Sequence, residues 1–343
     1  MGLDVTGRYR YPSPHPAWLA LNNEEPLDPD LPIIDAHHHL WEEGGHAYLL
    51  DELTADVTSG HNVVATVLVQ AGYGYRTEGP EELRSVGETE KVSAVADEAE
   101  SLGLTYRPCA AIVPYADLTL GDNLGVVLDA HEAASGGRLR GIRHSVSYDS
   151  HFPDGIVLRP ARRYLMADPA YREGLRLLQR RGLHFEAMLY HEQIPELTEL
   201  AHAMPDLPIM LDHYGTPIGV GWYEGREEER FAQWRESMAE LALCPNVYVK
   251  AGGLGMIITG ARWHERPKPP SSQELAQAWQ PWFDATVDLF GAERCAFESN
   301  FPVDKAMCSY VTLWNAFKRM SADAGTTEKA ALFHDNAARF YRI

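Results

Sequence analysis

Eight short apolar runs rich in β-branched residues, most of them followed by a longer stretch with helical spacing, constrain this 343-residue chain more than any other feature. They lie at 32–36, 63–70, 106–113, 139–144, 183–189, 208–213, 247–251 and 294–299. Several are almost continuously hydrophobic, as strands covered on both faces must be. Helical periodicity occupies 88–102, 124–134, 171–180, 194–203, 227–243, 274–290 and 305–320, and a last helix is expected over 327–341. Eight strands alternating with helices predict an α/β fold, a (β/α)8 TIM barrel with long βα loops. No GxGxxG follows any strand, which argues against an open dinucleotide-binding sheet. Residues 1–31 are broken by prolines and read as an irregular N-terminal arm, and 32–343 as one barrel domain.

The formal net charge of −19, from 30 basic and 49 acidic residues, repels phosphate backbones and anionic lipid. Nucleic-acid and membrane partners are therefore not expected, and a small-molecule substrate is. An anionic substrate needs local Arg or Lys to reverse the sign inside its pocket. Cys109, Cys244, Cys295 and Cys308 form no CxxC pair, so buried thiols are expected rather than disulfides or a cysteine-rich zinc site. The N-terminal residues lack the basic and apolar regions of a signal peptide, and no apolar run reaches the ~20 residues of a membrane helix. Cytoplasm is the expected compartment, and a homo-oligomer stays open.

Chemistry concentrates at strand ends. The first strand closes on Asp35-Ala36-His37-His38-His39-Leu40-Trp41. Side chains alternate along a strand, so His37 and His39 face one way and His38 the other. Two imidazoles on one side can ligate a divalent metal or position a carbonyl and a water. The sixth strand ends in Asp212-His213, which places His213 at the same mouth from across the barrel. On the eighth, Glu298 and Asn300 share one face by the same alternation, and Asp304 follows beyond Pro302. A carboxylate there can activate water or complete a metal shell. The bland alternative for Glu298 is an ion pair with Lys250 inside the barrel.

Strand 4 ends in Arg143-His144, whose guanidinium suits bidentate grip of a carboxylate or carbonyl oxygen. A rim ion pair is its bland alternative. Glu88 opens the helix after strand 2; it is a further candidate ligand, although an acidic first turn also serves the helix dipole. Long segments at 71–87, 145–167, 214–226 and 252–271 are the loops over the C-terminal face. Among their residues, Tyr73, Tyr75 and Trp222 are expected to wall a pocket.

At these landmarks the chain resembles the amidohydrolase superfamily. Within it, the chain is similar to the TIM-barrel metal-dependent hydrolases that include sugar-lactone and pyrone-dicarboxylate lactonases. The matching segments are Asp35 to Trp41, Gly141-Ile142-Arg143-His144, Leu211-Asp212-His213-Tyr214-Gly215 and Ser299-Asn300-Phe301-Pro302-Val303, which span nearly the whole chain. The resemblance implies that His37, His39 and His213 line the site. In metal-dependent members such positions hold one divalent ion, zinc or similar, while other members hydrolyse lactones without a metal. Asn300 stands where the family pattern Gly-Ser-Asp-Trp-Pro has its aspartate, so the base is expected at Glu298 or Asp304. The implied reaction is hydrolysis of a lactone or related cyclic ester of a small carboxylic acid, with Arg143 and His144 binding substrate. Non-oxidative decarboxylation of an aromatic or enol acid, and a catalytically silent binding barrel, are the alternatives.

Overall fold

The computed structural model describes residues 11–43, 46–157 and 160–343. Eight parallel strands follow the chain: β1 (Ile33–His38), β2 (Val63–Val69), β3 (Arg107–Val113), β4 (Gly141–Ile142), β5 (His184–Ala187), β6 (Ile209–Leu211), β7 (Val247–Ala251) and β8 (Cys295–Phe297). β1, β2 and β3 pair in order, and so do β4 through β8. Single parallel bridges join the two groups at both seams, Ile112 to Leu139 and His38 to Phe301. Each strand is followed by a helix: α1 (Leu50–Val57), α2 (Val86–Ser101), α3 (Asn123–Ala134), α4 (Pro169–Arg180), α5 (Ile194–Ala203), α6 (Glu227–Ala242), α7 (Ser272–Phe290) and α8 (Tyr310–Met320). The eightfold alternation is the TIM-barrel arrangement that the sequence pattern predicts.

Strand alternation divides the core. Phe185, Ile209, Leu211, Val247, Val249, Cys295 and Phe297 pack with the helices in one large apolar layer. The opposite face contributes Ala36, Ala65, Ala111, Met210 and Ala296 to a second cluster. Those small interior side chains leave room for Tyr341, which joins the same cluster from the chain's last helix, Asn336–Tyr341. Glu186 and Lys250, also buried, stand on this inner face between outward Phe185 and Ala187, and Val249 and Ala251. All four cysteines are free and buried. No helix among the described residues is long and apolar enough to cross a membrane.

Several boundaries differ from the sequence pattern, each for a local reason. Helix α1 is not foreseen by it; Leu50, Leu53 and Val57 supply its buried stripe, and Glu52 accepts from the Leu49 N–H at 3.0 Å. The helix expected from 305 starts at Tyr310, where Ser309 caps it by accepting from the Thr312 N–H at 3.2 Å. The final helix is interrupted by a π turn, Ala331–Asp335. Strand β8 stops at Phe297, and Asn300 lies in the left-handed region (φ 53°). The period-two rule therefore does not carry from Glu298 to Asn300.

The barrel mouth is roofed by apolar loop residues. Phe152, Ile156 and Val157 from the loop after β4, Ile218, Val220 and Tyr223 from the loop after β6, and Met256 and Ile258 from the loop after β7 pack into one cluster. Tyr11 from the arm and Trp41 pack against it. The arm is fastened along the barrel: the Trp18 Nε1–H donates to Arg266 O at 2.8 Å near the mouth, and Lys318 Nζ, in the last turn of α8, donates to Leu27 O at 2.8 Å.

Candidate active site

His37, from the end of β1, occupies the centre of a buried polar cluster. Its Nε2 lies 3.2 Å from His39 Nε2 and 3.4 Å from Arg143 Nη1. Its Nδ1 faces Glu298 Oε2 at 2.9 Å, Lys250 Nζ at 3.1 Å and Asp212 Oδ1 at 3.6 Å. His39 donates from Nδ1 to Val69 O at 2.8 Å, which leaves its Nε2 as the acceptor toward the cluster. His38 points away, to Thr66 Oγ1 at 2.8 Å, so the alternation at His37, His38 and His39 is as the sequence implies. Asp35 shapes the end of the strand beneath them. Its carboxylate accepts from the Ser299 N–H at 2.8 Å and from the Tyr310 hydroxyl at 3.0 Å, which ties β1 to the segment after β8.

Glu298 and His213 form the second half of the cluster. Glu298 Oε1 lies 2.6 Å from His213 Nδ1. Burial alone would lower the His213 pKa, but the adjoining Glu298 and Asp212 carboxylates carry it above the ordinary imidazole value. The His37 and His39 imidazoles go the other way. Burial holds both well below that value, helped by the charge of Lys250 at His37 and of Arg143 at His39. The cluster thus combines imidazoles kept neutral with one poised to carry a proton. Two strand ends reach it through unusual backbone: His213 (φ 54°), Tyr214 (φ 55°) and Asn300 (φ 53°) are left-handed, a conformation that accumulates at functional sites. Gly252 and Gly253 make the close approach feasible, because a Cβ on Gly252 would lie 2.4 Å from Glu298 Cγ and one on Gly253 2.5 Å from His213 Nδ1.

His37, Asp212 and His213 place ligand atoms within 4.8 Å of one another, a donor set suited to a divalent metal. Asp212 Oδ1 and Glu298 Oε2 are buried and accept no hydrogen bond of good geometry, although cationic or imidazole nitrogens lie near both. Unpaired buried acceptors of this kind fit a cation better than a closed structural network. Asp212 enters the sequence pattern only as the neighbour of His213; its inward position just after β6, beside Lys250, is what identifies it. Glu88 is not in this group. Its Oε1 accepts the backbone N–H of Ala71, Gly72 and Tyr73 at 2.8, 2.9 and 3.0 Å, so it clamps the loop after β2.

The other expected residues divide between the mouth and its rim. The Arg143 guanidinium lies inside the cluster; Nη2 donates to Gln70 O and Nη1 lies 3.4 Å from Asp212 Oδ2. Lys250 pairs with Glu186 and with Asp212 at 3.2 Å, not with Glu298. Asp304 accepts from the Asn300 side-chain amide at 2.9 Å and the Gly255 N–H at 3.0 Å, and burial raises its carboxyl to about 8. Asn300 thus positions Asp304. His144 lines, with Gln70, Tyr115 and Ser145, a cavity of about 610 Å³ beside the Gln70–Arg143 contact. Tyr75 accepts from the Gln70 side-chain amide at 3.4 Å, and Tyr73 packs half-buried against the main core. Trp222 is 51% exposed and stacks on His151 at 4.6 Å, on the outer rim.

The chain is similar to known proteins over most of its length. The family model described as Amidohydrolase matches residues 34–343. The uncharacterized protein y4mH of Sinorhizobium fredii is 33% identical over 337 residues, covering 92% of this chain and 99% of that protein. An L-fucono-1,5-lactonase of Burkholderia ambifaria is 27% identical over 321 residues, covering 90% of this chain and 95% of the relative. Among solved structures, a zinc-bound amidohydrolase from Burkholderia multivorans superposes with a TM-score of 0.67 at 22% identity, over 91% of this chain and 99% of that one.

Proposed function

The chain belongs to the amidohydrolase family, and from that premise we propose that its buried histidine–carboxylate cluster hydrolyses a lactone or related cyclic ester of a small carboxylic acid. The observation that carries this reading is the placement of Glu298 between His213, at 2.6 Å, and His37, at 2.9 Å, with the Arg143 guanidinium beside them. The L-fucono-1,5-lactonase relative supports the substrate class.

Each step has a candidate group. Arg143 holds the ester carbonyl or the substrate carboxylate, which approaches through the cavity lined by Gln70 and His144. Glu298 accepts the proton of the attacking water. Where no ion is bound, His213, whose affinity for a proton Glu298 raises, delivers a proton to the alkoxide released when the ring opens. Asp304, whose two oxygens accept from the Asn300 amide and the Gly255 N–H, anchors the loop after β7 and is assigned no proton transfer. His37, Asp212 and His213 are the residues that would hold a zinc-like ion, with His39 alongside. Such an ion, when bound, polarises the carbonyl and lowers the pKa of water.

Proton release from a panel of aldono-lactones and pyrone lactones, including L-fucono-1,5-lactone, tests the proposal. Stoichiometric acid formation, abolished in His213→Ala, is the expected outcome. Release of carbon dioxide from aromatic acids without acid formation from any lactone would contradict it.

A further inference from the structure

We infer that the chain carries a second ligand site, for an aromatic carboxylate, in the cavity between the loops after β6 and β7 and the helices α6 and α7. The cavity holds about 530 Å³, and none of the active-site cluster lines it. Its wall combines the guanidiniums of Arg230, Arg262 and Arg266 with the indoles of Trp263, Trp279 and Trp282, against one carboxylate, Glu227. Among the described residues, salt bridges to Glu224 and Glu274 balance two of these three guanidiniums, and Arg230 is in none.

Arg230 carries the argument. It is only 8% exposed, and among the described residues no carboxylate comes within ion-pair distance of it, Glu227 acting on it only from farther off. Nη1 donates to Ile218 O at 2.8 Å, whereas Nε is buried without any partner. A buried cation whose counter-charge lies beyond ion-pair distance is costly, and an anion in the adjoining cavity lowers that cost. Arg262 and Arg266 each engage one carboxylate through Nη2, Glu224 at 2.9 Å and Glu274 at 2.6 Å. The aromatic component follows from the indoles. Arg230 lies over Trp282 at 5.6 Å and Arg266 over Trp263 at 5.2 Å, so an aromatic ring can stack where its carboxylate meets a guanidinium fork.

The test titrates the full chain with 1-naphthoate, its uncharged analogue 1-naphthamide and inorganic phosphate, read by tryptophan fluorescence and by calorimetry. Saturable naphthoate binding, about tenfold or more tighter than naphthamide or phosphate, is expected. R262A/R266A should weaken it about tenfold, and Arg143→Gln should leave it unchanged. Arg230→Met should abolish it; because Arg230 also holds Ile218 O, the double variant keeps the test valid if that protein does not fold. Absence of saturable binding would overturn the inference, as would binding lost in Arg143→Gln and kept in R262A/R266A. Phosphate binding as tightly as naphthoate would overturn the aromatic assignment.

Discussion

The floor and the mouth of the barrel hold two networks of buried charge that differ in how completely they are satisfied. On the floor, Glu186 pairs with Lys250, lies 2.8 Å from His184 Nε2 and accepts from the Tyr341 hydroxyl at 3.3 Å. No fully buried polar side-chain atom of that set lacks a hydrogen bond, whereas at the mouth Asp212 Oδ1 and Glu298 Oε2 accept none. Lys250 joins the two, touching Glu186 below and Asp212 and His37 above. Similar side chains under similar burial therefore do different things. A saturated network stabilises one arrangement, and an incomplete one leaves acceptors for a substrate, a water or an ion.

That contrast can be broken from either side. Glu186→Gln strips Lys250 of its floor partner and should cost about 3–5 kcal/mol in denaturant unfolding; a loss under about 1 kcal/mol would show the floor is not the stabilising half. At the mouth, Arg143→Lys replaces a planar fork by a point charge. It should lower kcat/KM about 10–100-fold with little change in unfolding, and a purely stability-linked loss would contradict its assigned contact with substrate.

A third effect concerns Asp304, which burial raises from 3.8 to about 8. The folded state holds this proton more tightly than the unfolded one. The resulting stability is complete below the ordinary carboxyl value and is lost as pH rises through the folded value. The melting temperature of the wild type, relative to Asp304→Asn, should fall as pH rises from about 5 to 9. A difference that stays constant with pH would contradict that placement.

The barrel was largely legible, because continuous apolar strands and amphipathic helices report burial directly. The His37–His39 pair and the opposed His38 followed from alternation alone. Other parts of the site were hidden for identifiable reasons. Glu186, within His184-Phe185-Glu186-Ala187, is an acid in a core strand, a signal that alternation could have turned into an inward charge facing Lys250. Asp212 was masked by its more conspicuous neighbour His213. The fate of Asn300 and Asp304 depended on a left-handed turn after β8 that no periodicity encodes. Glu88 looked like a ligand or a dipole partner, and only the path of the loop after β2 brought three backbone N–H groups to it.

The measurement that bears most directly on the mouth as the reactive half is lactone turnover and thermal unfolding of Glu298→Gln on the same sample. The account predicts a fall in kcat of about 10³-fold with the melting temperature nearly unchanged. Undiminished turnover, or a loss of turnover that merely follows a loss of fold, would contradict it.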